Sequence, residues 1–178
     1  MFRKILGYGL IAGLIAGISL SITTVTSSHS LHGGMAMLIG YLMMLVALSA
    51  IFIAIKRHRD VDLGGVIKFW PALGLGLGIS VVAGILYAAA WDITVAITHM
   101  DFAGSYARAM IAQAQAKGVT GAALAKITNE MNVFKTQYAD PLYRWPMTFI
   151  EIFPVGVLVS LISAALLRNS RFLPARRA

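Results

Sequence analysis

The sequence contains no cysteine and few charged residues. The absence of cysteine excludes disulfide bonds and thiolate chemistry. Only 12% of the 178 residues are charged, about half the share found in soluble domains, whereas 58% are hydrophobic. This deficit of charge points to a membrane protein rather than to a large water-soluble core.

Acidic residues are scarcer still, with seven Asp and Glu against fifteen Lys and Arg, which gives a net charge of +8. In a soluble protein this excess would suggest nucleic acid as a partner. Here the bases flank apolar runs and no aromatic residues are interleaved with them, so membrane topology explains them and no nucleic-acid partner is expected.

Catalytic motifs are also missing. No arrangement of nucleophile, base and acid is recognisable, and no phosphate-binding loop or nucleotide motif is present. Gly74, Gly76 and Gly78 lie in an apolar helix without a preceding strand, so they form no dinucleotide fingerprint. We therefore expect neither an enzyme nor a cofactor.

Four apolar runs are long enough to cross a bilayer. They are residues 5–25, 35–55, 71–91 and 145–167. In the first run Gly9, Gly13 and Gly17 fall at every fourth position, on one helix face where small residues let another helix approach closely. We interpret this face as a helix-packing surface, and as a candidate contact for a homo-oligomer.

The segment between the third and fourth runs is polar and rich in alanine. Asp101 is a predicted N-cap and Gly118 a predicted C-cap, with Thr120 starting the next helix. The second helix carries an apolar stripe at three- and four-residue spacing: Leu124, Ile127, Met131, Phe134 and Tyr138. We predict an all-α membrane protein forming one domain over residues 1–178, with an extracytoplasmic amphipathic helical hairpin at about 101–139.

The placement of Lys and Arg predicts the orientation. With four spans, ten bases lie on the side of both termini and five on the other side, over a longer segment. The positive-inside rule then puts both termini in the cytoplasm, and a bacterial protein of this kind would lie in the inner membrane. Lys56, Arg57 and Arg59 end the second span, where they either attract anionic lipid headgroups or set the topology.

Glu151 is the most unusual residue, because it is an acid inside the fourth span. It lies six residues after Trp145, roughly 9 Å deeper along a helix. An ionised acid in hydrocarbon costs about 2–3 kcal/mol or more. Glu151 is either a proton or ligand site, or an acid held structurally by Arg144, a histidine or a tyrosine hydroxyl.

Other polar residues are predicted near Glu151, in the outer half of the membrane. The candidate ligand or proton site comprises Glu151, Asp92, Arg144, His32 and His99, with Tyr87 and Thr148 within reach. Histidines and carboxylates are ordinary metal ligands, and His29 also lies on this side. Their spacing matches no metal-binding motif, so no metal is predicted.

Two segments carry a resemblance to a known family. The first is Gly40–Asp60, which ends in Lys-Arg-His-Arg-Asp and is followed by Leu63–Phe69. The second is Thr148–Val159, which contains Glu151-x-x-Pro-x-Gly156. Together they resemble domain-of-unknown-function family 4199. The resemblance implies a small bacterial inner-membrane protein with four spans and no assigned activity, and it supplies no catalytic residue.

Three classes of function follow from these features. We favour a non-catalytic assembly, envelope or sensing component, because the inner halves of the spans hold almost no ionisable residue. The alternatives are a small oligomeric transporter or channel with Glu151 as its proton or ligand site, and an intramembrane enzyme acting on lipid. The expected partners are the lipid bilayer and a second copy or another membrane protein, bound through the glycine face or the hairpin.

Overall fold

The computed structural model describes residues 1–27 and 34–174, except the side chains of residues 25–27 and 34–37. Within these ranges it contains six α-helices and one short π-helical segment. They are α1 (Phe2–Ser27), α2 (Gly34–Arg57), the π-helical segment His58–Asp62, α3 (Phe69–Thr98), α4 (Phe102–Ala116), α5 (Gly121–Tyr138) and α6 (Pro141–Leu167).

Four helices in the described part of the chain are long and apolar enough to cross a membrane: α1, α2, α3 and α6. The predicted all-α fold with four helices long and apolar enough to cross a membrane is therefore confirmed. The third span was expected to end before Asp92, yet α3 continues to Thr98. No proline or glycine interrupts this stretch, and Arg144 pairs with the Asp92 carboxylate, so the acid does not force the helix to end.

The chain divides into two compact units by its internal contacts. This division does not test the predicted single domain over residues 1–178, which stays a prediction. The first unit comprises residues 1–91 and 148–178, and the second comprises residues 92–147. The first therefore holds α1, α2, most of α3 and most of α6, and the second holds α4 and α5.

In the first unit, the glycine face of α1 packs directly on α3. A methyl group placed on Gly9, Gly13 or Gly17 would lie 2.6, 2.7 or 2.6 Å from Val82, Leu86 or Ala90, respectively. The two residues of each pair are 73 positions apart, so the two helices run parallel in constant register. A homo-oligomer that used the glycine face would have to displace α3.

Helices α3 and α6 interlock through two glycines and two serines. A methyl group on Gly76 would lie 2.7 Å from the Ser160 hydroxyl, and one on Gly156 would lie 2.6 Å from the Ser80 hydroxyl. The two hydroxyl oxygens are 3.3 Å apart, and each hydroxyl also donates to the carbonyl four residues earlier. Both serines are buried, so this contact closes the middle of the bundle.

Arg59 is fully buried at the end of the bundle that contains the start of α1 and the end of α6. Its guanidinium donates to the backbone carbonyls of Leu167, Phe172 and Leu173 at 3.4, 2.9 and 2.5 Å, and to Asp60 at 2.6 Å. These carbonyls and the Asp60 carboxylate engage the Arg59 guanidinium, and its expected role at lipid headgroups or in topology stays a prediction. Arg57 is exposed, in contrast.

Lys56 shows a second local ion pair at the same end of α2. Its ammonium group lies 2.5 Å from the Asp60 carboxylate, one helical turn further on. The side chain is only partly exposed. Arg57, in contrast, has an exposed side chain, and the expected role of Lys56 and Arg57 at lipid headgroups or in topology stays a prediction.

In the second unit, α4 and α5 pack through aromatic side chains. Phe102, Tyr106, Phe134 and Tyr138 form a cluster with ring centroids 5.2–6.2 Å apart. Asp101 caps α4 by accepting the Gly104 N–H at 2.9 Å. This hydrogen bond, helped by the charges of Lys135 and Arg108, lowers the pKa of Asp101 below its ordinary value. The side of the membrane on which α4 and α5 lie stays a prediction.

Candidate functional site

A cavity of about 240 Å³ lies within the first unit, between α1, α2, α3 and α6. Six polar side chains line it: Ser19, Thr23 and Thr24 from α1, Tyr41 from α2, Tyr87 from α3 and Glu151 from α6. The remaining lining is apolar and includes Met43 and Met44. The cavity thus brings one carboxyl group and five hydroxyl groups together in an otherwise apolar bundle.

Helix periodicity explains how α1 contributes to this site. Ser19 and Thr23 are four residues apart and therefore lie on one face of the helix, and Ala16 on the same side is too small to fill the space. On α2, a methyl group added to Gly40 would meet no atom within 4 Å. Small residues on both helices leave the cavity open.

Glu151 lines the cavity with Tyr87 beside it. The Tyr87 hydroxyl lies close enough to the carboxyl group to interact with it, and the Tyr87 side chain is only 1% exposed. Glu151 itself is exposed, as is Tyr41, so the cavity opens to the surface of the unit at these two residues. A buried hydroxyl thereby orients an acid at the mouth of a cavity.

Asp92 and Arg144 pair with each other in the second unit. The Arg144 Nε atom donates to the Asp92 carboxylate at 2.5 Å, and the Trp145 indole donates to the other oxygen of the same carboxylate. Arg144 also donates to the Tyr138 carbonyl at 3.1 Å, with its guanidinium 5.8 Å from the centre of the Tyr138 ring. These contacts give Asp92 and Arg144 a structural role that needs no ligand.

Among the described residues, no histidine lines the cavity. His99 is exposed just after α3, with its backbone in the left-handed region at a φ of 51°. His32 and His29 lie outside the described residues. Among the residues that are described, no group of three His, Cys, Asp or Glu side chains is positioned to hold a metal ion.

A comparison with protein-family models matches residues 7–169 to the family described as "Protein of unknown function (DUF4199)". The chain belongs to the DUF4199 family. The family resemblance of the two segments is therefore confirmed, and the matched range of this DUF4199 chain includes every lining residue of the cavity. The family description assigns no activity. No curated protein and no solved structure matches the chain.

Sequence reasoning singled out Glu151 and Tyr87 of this DUF4199 chain but missed the hydroxyl residues of α1 and α2. Ser19 and Thr23 carry a signal that was available, since two hydroxyl residues recur on one face of an apolar run. The position of Tyr41 gave no such signal, because a tyrosine near the end of a span is ordinary at a membrane interface. The cavity became apparent only from the packing of four helices.

Proposed function

We propose that this DUF4199 protein is a non-catalytic membrane protein that holds a ligand in the Glu151 cavity. In this role it would serve as a sensing, assembly or envelope component. The observation that carries the proposal is the cavity itself, because it presents a carboxyl group and several hydroxyl groups where a bilayer offers none. Concave, mostly apolar sites with a few converging polar groups are typical of ligand binding.

The chemistry of the lining supports binding over catalysis. The described lining residues include hydroxyl groups but no Lys, His or Cys that would activate one of them as a nucleophile. An enzyme acting on lipid, the third class of function, would therefore have to rely on Glu151 alone to activate a hydroxyl group among the described lining residues.

The packing beside the cavity supports binding over passage. Along α6, Gly156 and Ser160 follow Glu151 by five and nine residues, or about 8 and 14 Å. Both lie in the tight contact with Gly76 and Ser80 of α3. A solute in the cavity would meet this closed contact before it could cross the bundle.

A small transporter or channel is the second candidate, and the position of Glu151 favours it. The acid is exposed at the cavity mouth and has the Tyr87 hydroxyl beside it, which suits exchange of a proton or a ligand. This function would require α3 and α6 to separate at Ser80 and Ser160, and in a protein of four spans it would require a homo-oligomer.

The proposal also includes a location. The excess of Lys and Arg on the side of the termini supports the bacterial inner membrane with both termini in the cytoplasm. A membrane-protein partner would use the α4–α5 pair, since α3 already covers the glycine face of α1.

A cavity-filling substitution tests the proposed function. Gly40 lines the cavity and a Cβ atom added to it would meet no atom within 4 Å, so Gly40→Leu adds side-chain volume at the cavity. Gly7→Leu adds the same side chain to an exposed position of α1, where an added Cβ atom also has no neighbour within 4 Å. Each protein is purified from its native membrane, and co-purifying molecules are identified by mass spectrometry.

We expect a molecule that accompanies the unsubstituted protein and Gly7→Leu but is depleted from Gly40→Leu. Equal recovery with all three proteins would place that molecule elsewhere, and the absence of any co-purifying molecule would contradict the proposal.

A further inference from the structure

We infer that the ligand held in the Glu151 cavity carries an organic ammonium group. This inference rests on the proposed function and adds the chemical class of the ligand. It follows from the charge, the hydrogen-bonding groups and the apolar surfaces that the lining presents.

The charge of the lining selects a cation. Glu151 is the one Asp or Glu among the described lining residues, and no Lys, Arg or His lines the cavity with it. An anionic ligand would be repelled by the carboxylate, and a purely apolar ligand would cover it without supplying a partner. A cation supplies the missing charge.

The hydrogen-bonding groups favour a primary ammonium. Such a group has three N–H donors and no acceptor. The Glu151 carboxylate accepts one of these bonds, and the hydroxyl oxygens of Ser19, Thr23 and Tyr41 are acceptors in the same lining. These four acceptors are sufficient for the three donors without any further charged side chain.

The apolar part of the lining indicates an organic cation rather than a metal ion. Aromatic rings attract ammonium groups, and two tyrosines, Tyr41 and Tyr87, are among the lining residues. The thioethers of Met43 and Met44 adapt to an irregular apolar body. A divalent metal would require several oxygen ligands of high charge, and the lining has a single carboxylate.

An ammonium group can reach this site from two sources. One is the headgroup of an aminophospholipid in the surrounding bilayer, and the other is a free amine from the aqueous phase. The exposed Tyr41 and Glu151 at the cavity mouth suit both, since the body of either ligand would extend outwards.

The first arm of the test uses a free amine. The protein is placed in nanodiscs of phosphatidylglycerol, a lipid without an amine, and its thermal midpoint is followed as phenethylammonium is added. Uncharged 2-phenylethanol and anionic phenylacetate serve as isosteric probes. The second arm adds phosphatidylethanolamine to the nanodiscs and measures the lipid retained by native mass spectrometry.

The two glutamates of the sequence provide a matched pair of variants. Glu151→Gln removes the charge but keeps the shape, and Glu130→Gln makes the same change at an exposed position of α5, 4.0 Å from Lys126. We expect Glu151→Gln to weaken binding of phenethylammonium, or retention of phosphatidylethanolamine, about tenfold or more, and Glu130→Gln to leave it unchanged.

A second variant covers the case in which Glu151→Gln does not fold. Tyr41→Leu removes a half-exposed ring and is expected to weaken ammonium binding about two- to fivefold. A response confined to the first arm identifies a free amine, and one confined to the second identifies the lipid headgroup.

Equal stabilisation by 2-phenylethanol would overturn the ammonium inference while leaving ligand binding in the cavity intact. Amine and lipid binding that are both indifferent to Glu151 and Tyr41 would overturn it as well. The comparison of Gly40→Leu with Gly7→Leu tests the proposed function separately, because its outcome does not depend on the chemistry of the ligand.

Discussion

The contact between Gly17 of α1 and Ala90 of α3 leads to a sharp prediction about stability. A methyl group on Gly17 would lie 2.6 Å from the Ala90 Cβ atom, and the next atom, a backbone oxygen, is 3.8 Å away. Ordinary contacts between carbon atoms are about 3.5–4.0 Å. Because Ala90 has no rotamer that could move aside, Gly17→Ala has to push the two helices apart by about 1 Å.

The size of the effect follows from two opposing contributions. Overpacking a tight interface costs about 1–3 kcal/mol. Replacing glycine by alanine inside a helix returns about 0.5–1 kcal/mol. Gly7→Ala gains the second contribution without the first, since Gly7 has no neighbour within 4 Å. We therefore expect Gly17→Ala to be less stable than Gly7→Ala by about 1–3 kcal/mol.

Exchanging the two residues provides the control. Gly17→Ala combined with Ala90→Gly keeps one methyl group between the helices and the same composition, so most of the lost stability should return. The free energy of unfolding is measured in mixed micelles by titration with sodium dodecyl sulfate, followed by circular dichroism. If Gly17→Ala were as stable as Gly7→Ala, or if Ala90→Gly gave no rescue, the close packing of α1 on α3 would be refuted.

Two further predictions concern polar contacts. Arg59→Met should lower the free energy of unfolding by about 3 kcal/mol, because it leaves Asp60 and three backbone carbonyls without their buried partner. Arg57→Met, at an exposed position, should change this free energy little. Equal effects of the two substitutions would refute a stabilising role for the buried Arg59 contacts. The Gly104 N–H lowers the pKa of Asp101 in the folded protein below the ordinary value of 3.8. The ionised cap therefore stabilises α4 fully at a pH above 3.8, and this stabilisation is lost as the pH falls through the lowered pKa of the folded protein. Asp101→Asn keeps a capping oxygen that does not titrate, and its helicity by circular dichroism should depend less on pH in this acidic range; identical pH profiles would contradict this account.

The four membrane-crossing helices could be predicted from the sequence because their signal is local. An apolar run of about twenty residues needs only length and composition to be recognised. The recurrence of Gly9, Gly13 and Gly17 likewise revealed a close-packing face, since a four-residue period is read directly from the chain. The partner helix was not readable, because any neighbouring span could supply the opposing surface.

The roles of the charged residues were harder to predict, because they depend on contacts between distant positions. Asp92 and Arg144 are 52 residues apart, so no local pattern in the sequence indicates that they pair. Arg59 sits in a basic run that matches a topology signal, yet its carbonyl partners lie more than a hundred residues later. Composition could not distinguish this buried arginine from its exposed neighbour Arg57.

The central claim is that the Glu151 cavity ends within the bundle. The most direct test of this claim is to determine from which side of the membrane the cavity can be reached. Because the chain has no cysteine, an introduced cysteine is its only thiol. Thr23→Cys reports on the cavity lining and Ser160→Cys on the closed contact between α3 and α6. Both are treated with a small membrane-impermeant thiol reagent in sealed vesicles of either orientation.

The account predicts that Thr23→Cys is labelled only from the side opposite the two termini, and that Ser160→Cys is labelled from neither side. Labelling of Thr23→Cys from the side of the termini, or of Ser160→Cys from either side, would contradict a cavity that ends within the bundle.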